Sequence, residues 1–291
     1  MKPLLLTLSM VSTLAILGCH TEIDKAVASG DADTLLIALN KNGDVDWEID
    51  TDGNVISIWG DLTSPASAKV TDEVLAIFSE LPHLKDLDLG RTKLSDASLE
   101  HLKSLSNLER FSCKGDFWDG CNITDEGLKS LGGLNQLKHL HIVSNKITDG
   151  GLSYLKDLTE LETLGLPNSQ ITGAGFSQLE GMTKLQGIDL NGSKLSDDGL
   201  KHLAAIENLY ILGLDNTRIS GVGCDCLANL TQLFSVSLMS NPISDAGIED
   251  LKKLTNLRSL NLSSTQLTPN NIMELKAALP NCRIESEHRI P

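Results

Sequence analysis

The chain is predicted to fold as an α/β solenoid, a horseshoe with a parallel sheet on its concave side and short helices on its convex side. Three observations predict it. Leucine recurs every 24 residues from Leu161 through Leu185, Leu209, Leu233 and Leu257 without a gap. Each period holds a pair such as Leu164 and Leu166, whose two-residue alternation points both side chains to one face of a short strand. A second set, such as Leu152, Leu155 and Leu158, puts one apolar stripe on a short helix. A unit of this size cannot bury its apolar face alone, so stacking is obligatory.

Residues 1–18 read as an export signal. Lys2 supplies a positive charge and Leu4 to Leu17 is largely apolar, too short to span a bilayer but suited to a secretory signal. The ending Ile16-Leu17-Gly18-Cys19 resembles the lipobox of bacterial lipoproteins, which implies lipidation of Cys19. Leu17 departs from the small or β-branched residue usual before the glycine, and ordinary cleavage beside an incidental cysteine is the alternative. His20, where retention at the inner membrane goes with Asp, favours the outer membrane or surface. Firm anchoring follows because such proteins carry more than one acyl chain.

Residues 19–52 form the lipidated N-terminus and an N-terminal cap. Ala26, Val27, Leu35, Leu36 and Leu39 mark two helical pieces broken at Gly30-Asp31. Val45 to Ile49 alternates like a strand, and Asp52-Gly53-Asn54 turns it into Val55 to Ile58. Residues 53–278 hold about nine units, with seven residues inserted after Ile58 and five around Gly115 to Gly120. After each strand a small polar residue (Thr92, Asn145, Ser169, Ser193, Thr217, Asn241, Thr265) is expected to turn the chain and satisfy backbone groups. Ser or Thr followed by Asp, as in Thr148-Asp149, reads as a helix cap with a carboxylate in the first turn. Leu212 is expected to point inward and Ser237 to face solvent. Residues 279–291 close the far end.

These units resemble the leucine-rich-repeat family, in the bacterial lipoprotein flavour whose units carry Leu-Ser/Thr-Asp-x-Gly-Leu. Ile243-Ser244-Asp245-Ala246-Gly247-Ile248 has that form, and Leu279 to Ile284 is similar to the group's closing segment. The resemblance implies a non-catalytic module that binds a protein through its concave face. A structural envelope protein without a discrete partner is one rival reading. An enzyme or metal-binding protein using His139 and His141 is another.

Composition and motifs narrow the chemistry. With 24 basic against 39 acidic residues the net charge is −15, which argues against nucleic acid, and few aromatics are available for base stacking. Glu48-x-Asp50-x-Asp52-Gly53 has the beat of a calcium loop but places Trp59 where a bidentate Glu is needed, so a hairpin turn is the better account. His139 and His141 alternate with the inward Leu140 and Ile142 and should face the concave side, between Arg110 and Ser112 on one strand and Thr163 and Gly165 on the next. The neighbouring cation disfavours a metal, so no metal or other cofactor is expected. Cys113, Cys121 and Cys224 are expected to be buried. Cys113 and Cys121 bracket the five-residue insertion, and spacing alone leaves a disulfide between them open. Cys224-x-Cys226 lacks a second pair of zinc ligands. No nucleophile elbow, phosphate loop or zinc-protease helix is present.

A partner site is expected on the upstream third of the concave face. Downstream concave positions are small or uncharged (Gly187, Gly213, Ser235, Ser237, Ser259, Asn261), whereas upstream stand Trp59, Asp88, Arg91, Arg110, Lys114, His139 and His141. Both insertions leave the same edge, and the second carries Phe117 and Trp118, either exposed anchors or a cover for the loop's own base. The cluster of Arg91, Arg110 and Lys114 suggests an acidic protein surface or anionic glycan as partner of a monomer.

Overall fold

A computed structural model describes residues 30–41, 45–60, 72–90, 92, 94–115 and 120–287. The proposed export signal with Cys19, and Arg91, Phe117 and Trp118, lie outside the described residues. Eleven strands pair in chain order into one open sheet: β1 (Val45–Ile49), β2 (Val55–Gly60), β3 (Asp86–Leu89), β4 (Arg110–Cys113), β5 (His139–Ile142), β6 (Thr163–Gly165), β7 (Gly187–Asp189), β8 (Ile211–Gly213), β9 (Ser235–Ser237), β10 (Ser259–Asn261) and β11 (Arg283–Glu285). β1 runs antiparallel to β2 through a turn in which Asp50 Oδ1 accepts the Asp52 and Asn54 amides, so those acids build the hairpin anticipated for them. Every later pairing is parallel. β11 falls inside the closing segment and aligns Ile284 with Leu260, extending the sheet by one strand.

The period fixes the core. Leu164, Ile188, Leu212, Val236 and Leu260 form one buried column across neighbouring strands. Convex segments that include Asp96–Leu102, Asp125–Leu131 and Asp197–Leu203 bury the helical leucines behind the sheet. Among the described residues no helix is long and apolar enough to cross a membrane.

The aspartates at helix starts do more than favour the local helix end. Asp96 accepts the backbone amide and hydroxyl of Thr124 in the next unit, each at 2.7 Å. Asp125 does the same for Thr148, Asp149 for Thr172, Asp197 for Ser220 and Asp245 for Thr268. Asp149 also accepts the amides of Gly173 and Gly175, and these bonds hold its carboxyl below the ordinary value against the opposing effect of burial. Each Asp therefore ties one helix start to the next.

The polar column departs from expectation where the Thr92 and Ser169 hydroxyls are buried without a partner, and again in the unit after the five-residue insertion. Ser144 is fully buried there and Asn145 is exposed. The cause is the insertion: the returning chain bonds Cys121 N–H to the Val143 carbonyl and bridges Gly120 to Ser144. Regular units place a left-handed residue before the polar one (Asn168, Gly192, Asn216, Ser240, Ser264), and Ser144 lacks that conformation. Its hydroxyl donates to the Ile123 carbonyl at 2.6 Å. Cys113 and Cys121 are joined by a disulfide with a Cα–Cα distance of 6.9 Å, closing the insertion at its base. Ser237 also needs correction as a free solvent-facing position, because its hydroxyl donates to Asp215. An Asp there would set two carboxylates together.

Asn241 is the best-satisfied member of the polar column. Its Nδ2 donates to the Leu214 and Leu238 carbonyls at 2.6 and 3.1 Å, and its Oδ1 accepts the Thr217 hydroxyl at 2.8 Å. Ser169 Oγ is buried without a partner. Asn241→Ala orphans groups in two units and is expected to cost about 2 kcal/mol, whereas Ser169→Ala should stay within about 0.5 kcal/mol of wild type. Urea unfolding of both variants reads the difference, and equal losses would contradict the assignment.

Candidate functional site

The concave face carries the strand positions whose side chains point away from the core. Alternation sets His139 and His141 on that face between the buried Leu140 and Ile142. The register is the expected one: His139 lies between Arg110 and Thr163, and His141 between Ser112 and Gly165. His139 Nδ1 is 2.9 Å from Thr163 Oγ1. The His141 ring lies over Gly165, where a Cβ would come within 2.1 Å of Nδ1, so any side chain there would have to displace the imidazole.

These residues line one wall of a groove of about 470 Å³ running from Asp88 on β3 to β8. Its floor is low because Gly165, Gly187 and Gly213 put no side chain on the concave face of three successive strands. Asp189 stands among them, and Ile211, 53% exposed, closes the downstream end. Beside Ile211, Tyr210 stacks on Phe234 with ring centroids 4.8 Å apart. Both rings are partly exposed, at 42% and 37%.

The electrostatics differ from those expected of a basic cluster. Arg110 Nε pairs with Asp86 Oδ2 at 3.1 Å, and Lys114 Nζ lies 3.8 Å from Asp88 Oδ2. The strand before each cation thus supplies its counter-charge, so Arg110 and Lys114 do not form a free positive surface. Asp88 keeps Oδ1 buried without a partner. Asp189 Oδ1 accepts the Asn191 amide at 3.0 Å, and among the described residues no cation pairs with it. Burial lowers the pKa of both histidines, with Arg110 adding to the effect on His139, while Asp189 opposes it at His141.

The groove brings together Arg110, His139 and His141 from the anticipated site. Trp59, 44% exposed on β2, and Lys114 lie outside it. Gly165, Gly187, Asp189, Gly213 and Ile211 were missing from the expectation, although glycine in one register column over three strands is visible in the repeat alignment. The centre of the groove therefore lies downstream of the expected residues. Buried Cys224 is chemically quiet, its thiol pushed up to about 12 by burial. Among the described residues no three His, Cys, Asp or Glu side chains gather as a metal site.

A family model described as leucine-rich repeat matches residues 119–132, 134–156 and 253–274. With the stacked 24-residue units already in place, this decides the matter. The chain carries leucine-rich repeats. No curated protein matches this leucine-rich-repeat chain by sequence. Solved structures similar to it include an internalin C2 from Listeria monocytogenes, with 20% identity, 80% of each chain covered and a TM-score of 0.49. An internalin (inlF) from the same organism has 17% identity, covers 95% of this chain and all of its own, and gives 0.42. The plant peptide hormone receptor RGFR1, solved in complex with RGF2, has 17% identity over 71% of this chain and 36% of its own, with 0.46.

His141 offers a check on the electrostatics. A buried imidazole whose pKa lies below its ordinary 6.5 stabilises the fold above that value, and the contribution is lost as pH falls through it toward the lowered one. Thermal stability of wild type should fall between about pH 7.5 and about pH 5, and His141→Gln should flatten that fall. An unchanged slope in the variant would place the imidazole in solvent.

Proposed function

We propose that this leucine-rich-repeat protein is a non-catalytic interaction module of the bacterial cell envelope, and that it holds a partner protein in its concave groove. The observation that carries this reading is the groove itself: a rigid parallel sheet without side chains of its own at Gly187 and Gly213, walled by His139, by His141 lying over Gly165, and by Ile211. Solenoids commonly bind along such concave surfaces, and a concave site with an apolar end and a few oriented polar groups suits a ligand segment. The His139–Thr163 contact does not favour nucleophilic chemistry, because burial and Arg110 both weaken that imidazole as a base. Export and lipid anchoring at Cys19 belong to the same proposal and rest on the apolar run ending in Gly18-Cys19.

Gly187→Leu tests it. The same register column carries Arg110, His139, Thr163 and Ile211 in neighbouring strands. A side chain there therefore fits the sheet once the Thr163 methyl, 3.1 Å from a Cβ at this position, gives by a few tenths of an ångström, and it fills the groove. Protein isolated from membranes should carry a diacylated Cys19 as its N-terminus by mass spectrometry. It should co-purify a protein partner that Gly187→Leu loses while keeping its melting temperature. Partner retention by the folded variant would remove the groove from the function, and an unmodified soluble chain cleaved elsewhere would remove the anchor.

A further inference from the structure

Resting on the concave-face reading, we infer that the groove takes a basic side chain, Lys or Arg, presented on an extended segment of the partner protein with an apolar neighbour seated on Ile211. The charge balance of the groove decides the sign. Arg110 is neutralised by Asp86, and Lys114, just outside the groove, faces Asp88. Asp189 is left near the middle of the floor with an amide on one oxygen and no described cation. Covering that carboxylate with an apolar or acidic segment would desolvate a charge without compensation, whereas a Lys or Arg would pair with it.

Shape favours an extended chain. Gly213 stands beside Asp189 in its own register column and Gly187 two residues before it on β7, so a ligand backbone meets no side chain from those two positions on its way to the carboxylate. Six strands line the groove, and at about 4.8 Å between neighbours it spans roughly 24 Å, the length of about seven extended residues. At its downstream end Ile211 is exposed, and the stacked Tyr210 and Phe234 continue the apolar surface along the edge of the sheet. A basic residue beside an aliphatic or aromatic one therefore matches Asp189 on β7 followed by Ile211 on β8. The chain's net charge of −15 steers such a partner inward.

The test pans a displayed random heptapeptide library against the wild-type protein and measures the enriched synthetic peptides by fluorescence anisotropy. Variants Asp189→Asn, Gly187→Leu and, as a convex control, Asp198→Asn are compared after checking their melting temperatures. Enriched peptides should carry Lys or Arg within two positions of an apolar residue, and their binding should weaken with salt. Asp189→Asn should weaken binding by about tenfold or more, Gly187→Leu should abolish it, and Asp198→Asn should leave it unchanged. Peptides without a basic residue, or indifferent to Asp189→Asn, that are still excluded by Gly187→Leu would overturn the charge assignment while the concave-face reading stands. Peptides indifferent to Gly187→Leu would overturn both, and no enrichment would overturn the extended-segment proposal.

Discussion

No unit of this chain can satisfy itself, and the rest of the structure depends on that constraint. A three-residue strand such as Ile211–Gly213 finds its hydrogen-bond partners on β7 and β9, and the leucines behind it are buried only by the units on either side. The aspartate bonds carry the same dependence to the convex side, where each carboxylate serves the helix start of the following unit. Stability in such an array resides in interfaces between neighbours. The interfaces differ: Gly173 and Gly221 stand where other units have the bonding aspartate. At the interfaces that follow those two glycines, the sheet and the leucine core must hold the stack without that carboxylate.

The same regularity makes departures from it informative. A position held to one register by its neighbours can change side chain at little cost if it faces solvent, so the concave columns are where the sequence is free to build a surface. At Gly165, Gly187 and Gly213 that freedom removes matter, and at His139, His141 and Ile211 it supplies walls. The five-residue insertion is a second departure. Its return past Val143 and its closure by Cys113 and Cys121 displace the adjacent turn enough to exchange Asn145 for Ser144 in the core.

Much of the framework was legible in the sequence because it is local and periodic. Leu164 and Leu166 announce an inward strand, and the alignment of periods correctly set His139 beside Arg110 and Thr163. What escaped depends on residues a whole unit apart. Asp149 looks like a helix-dipole residue until Thr172, 23 positions on, is seen to share it. Arg110 and Lys114 look like a basic patch when cations alone are counted, and Asp86 and Asp88 on the preceding strand cancel them. The groove escaped because small residues read as featureless, whereas in a register column a missing Cβ is a shape. Tyr210 and Phe234 share a column 24 residues apart, which was the available sign of an apolar surface downstream.

Framework and proposed function thus separate in space: a repeat-wide set of interfaces holds the sheet, and the groove that ends at Ile211 is the proposed place of the partner. Hydroxyl-radical footprinting with and without the bound partner protein tests that separation most directly. The account predicts protection of His139, His141, Tyr210 and Ile211, with Trp59 upstream and the exposed Val222 unchanged. Protection centred on Trp59 or Val222, with Ile211 still fully reactive, would contradict it.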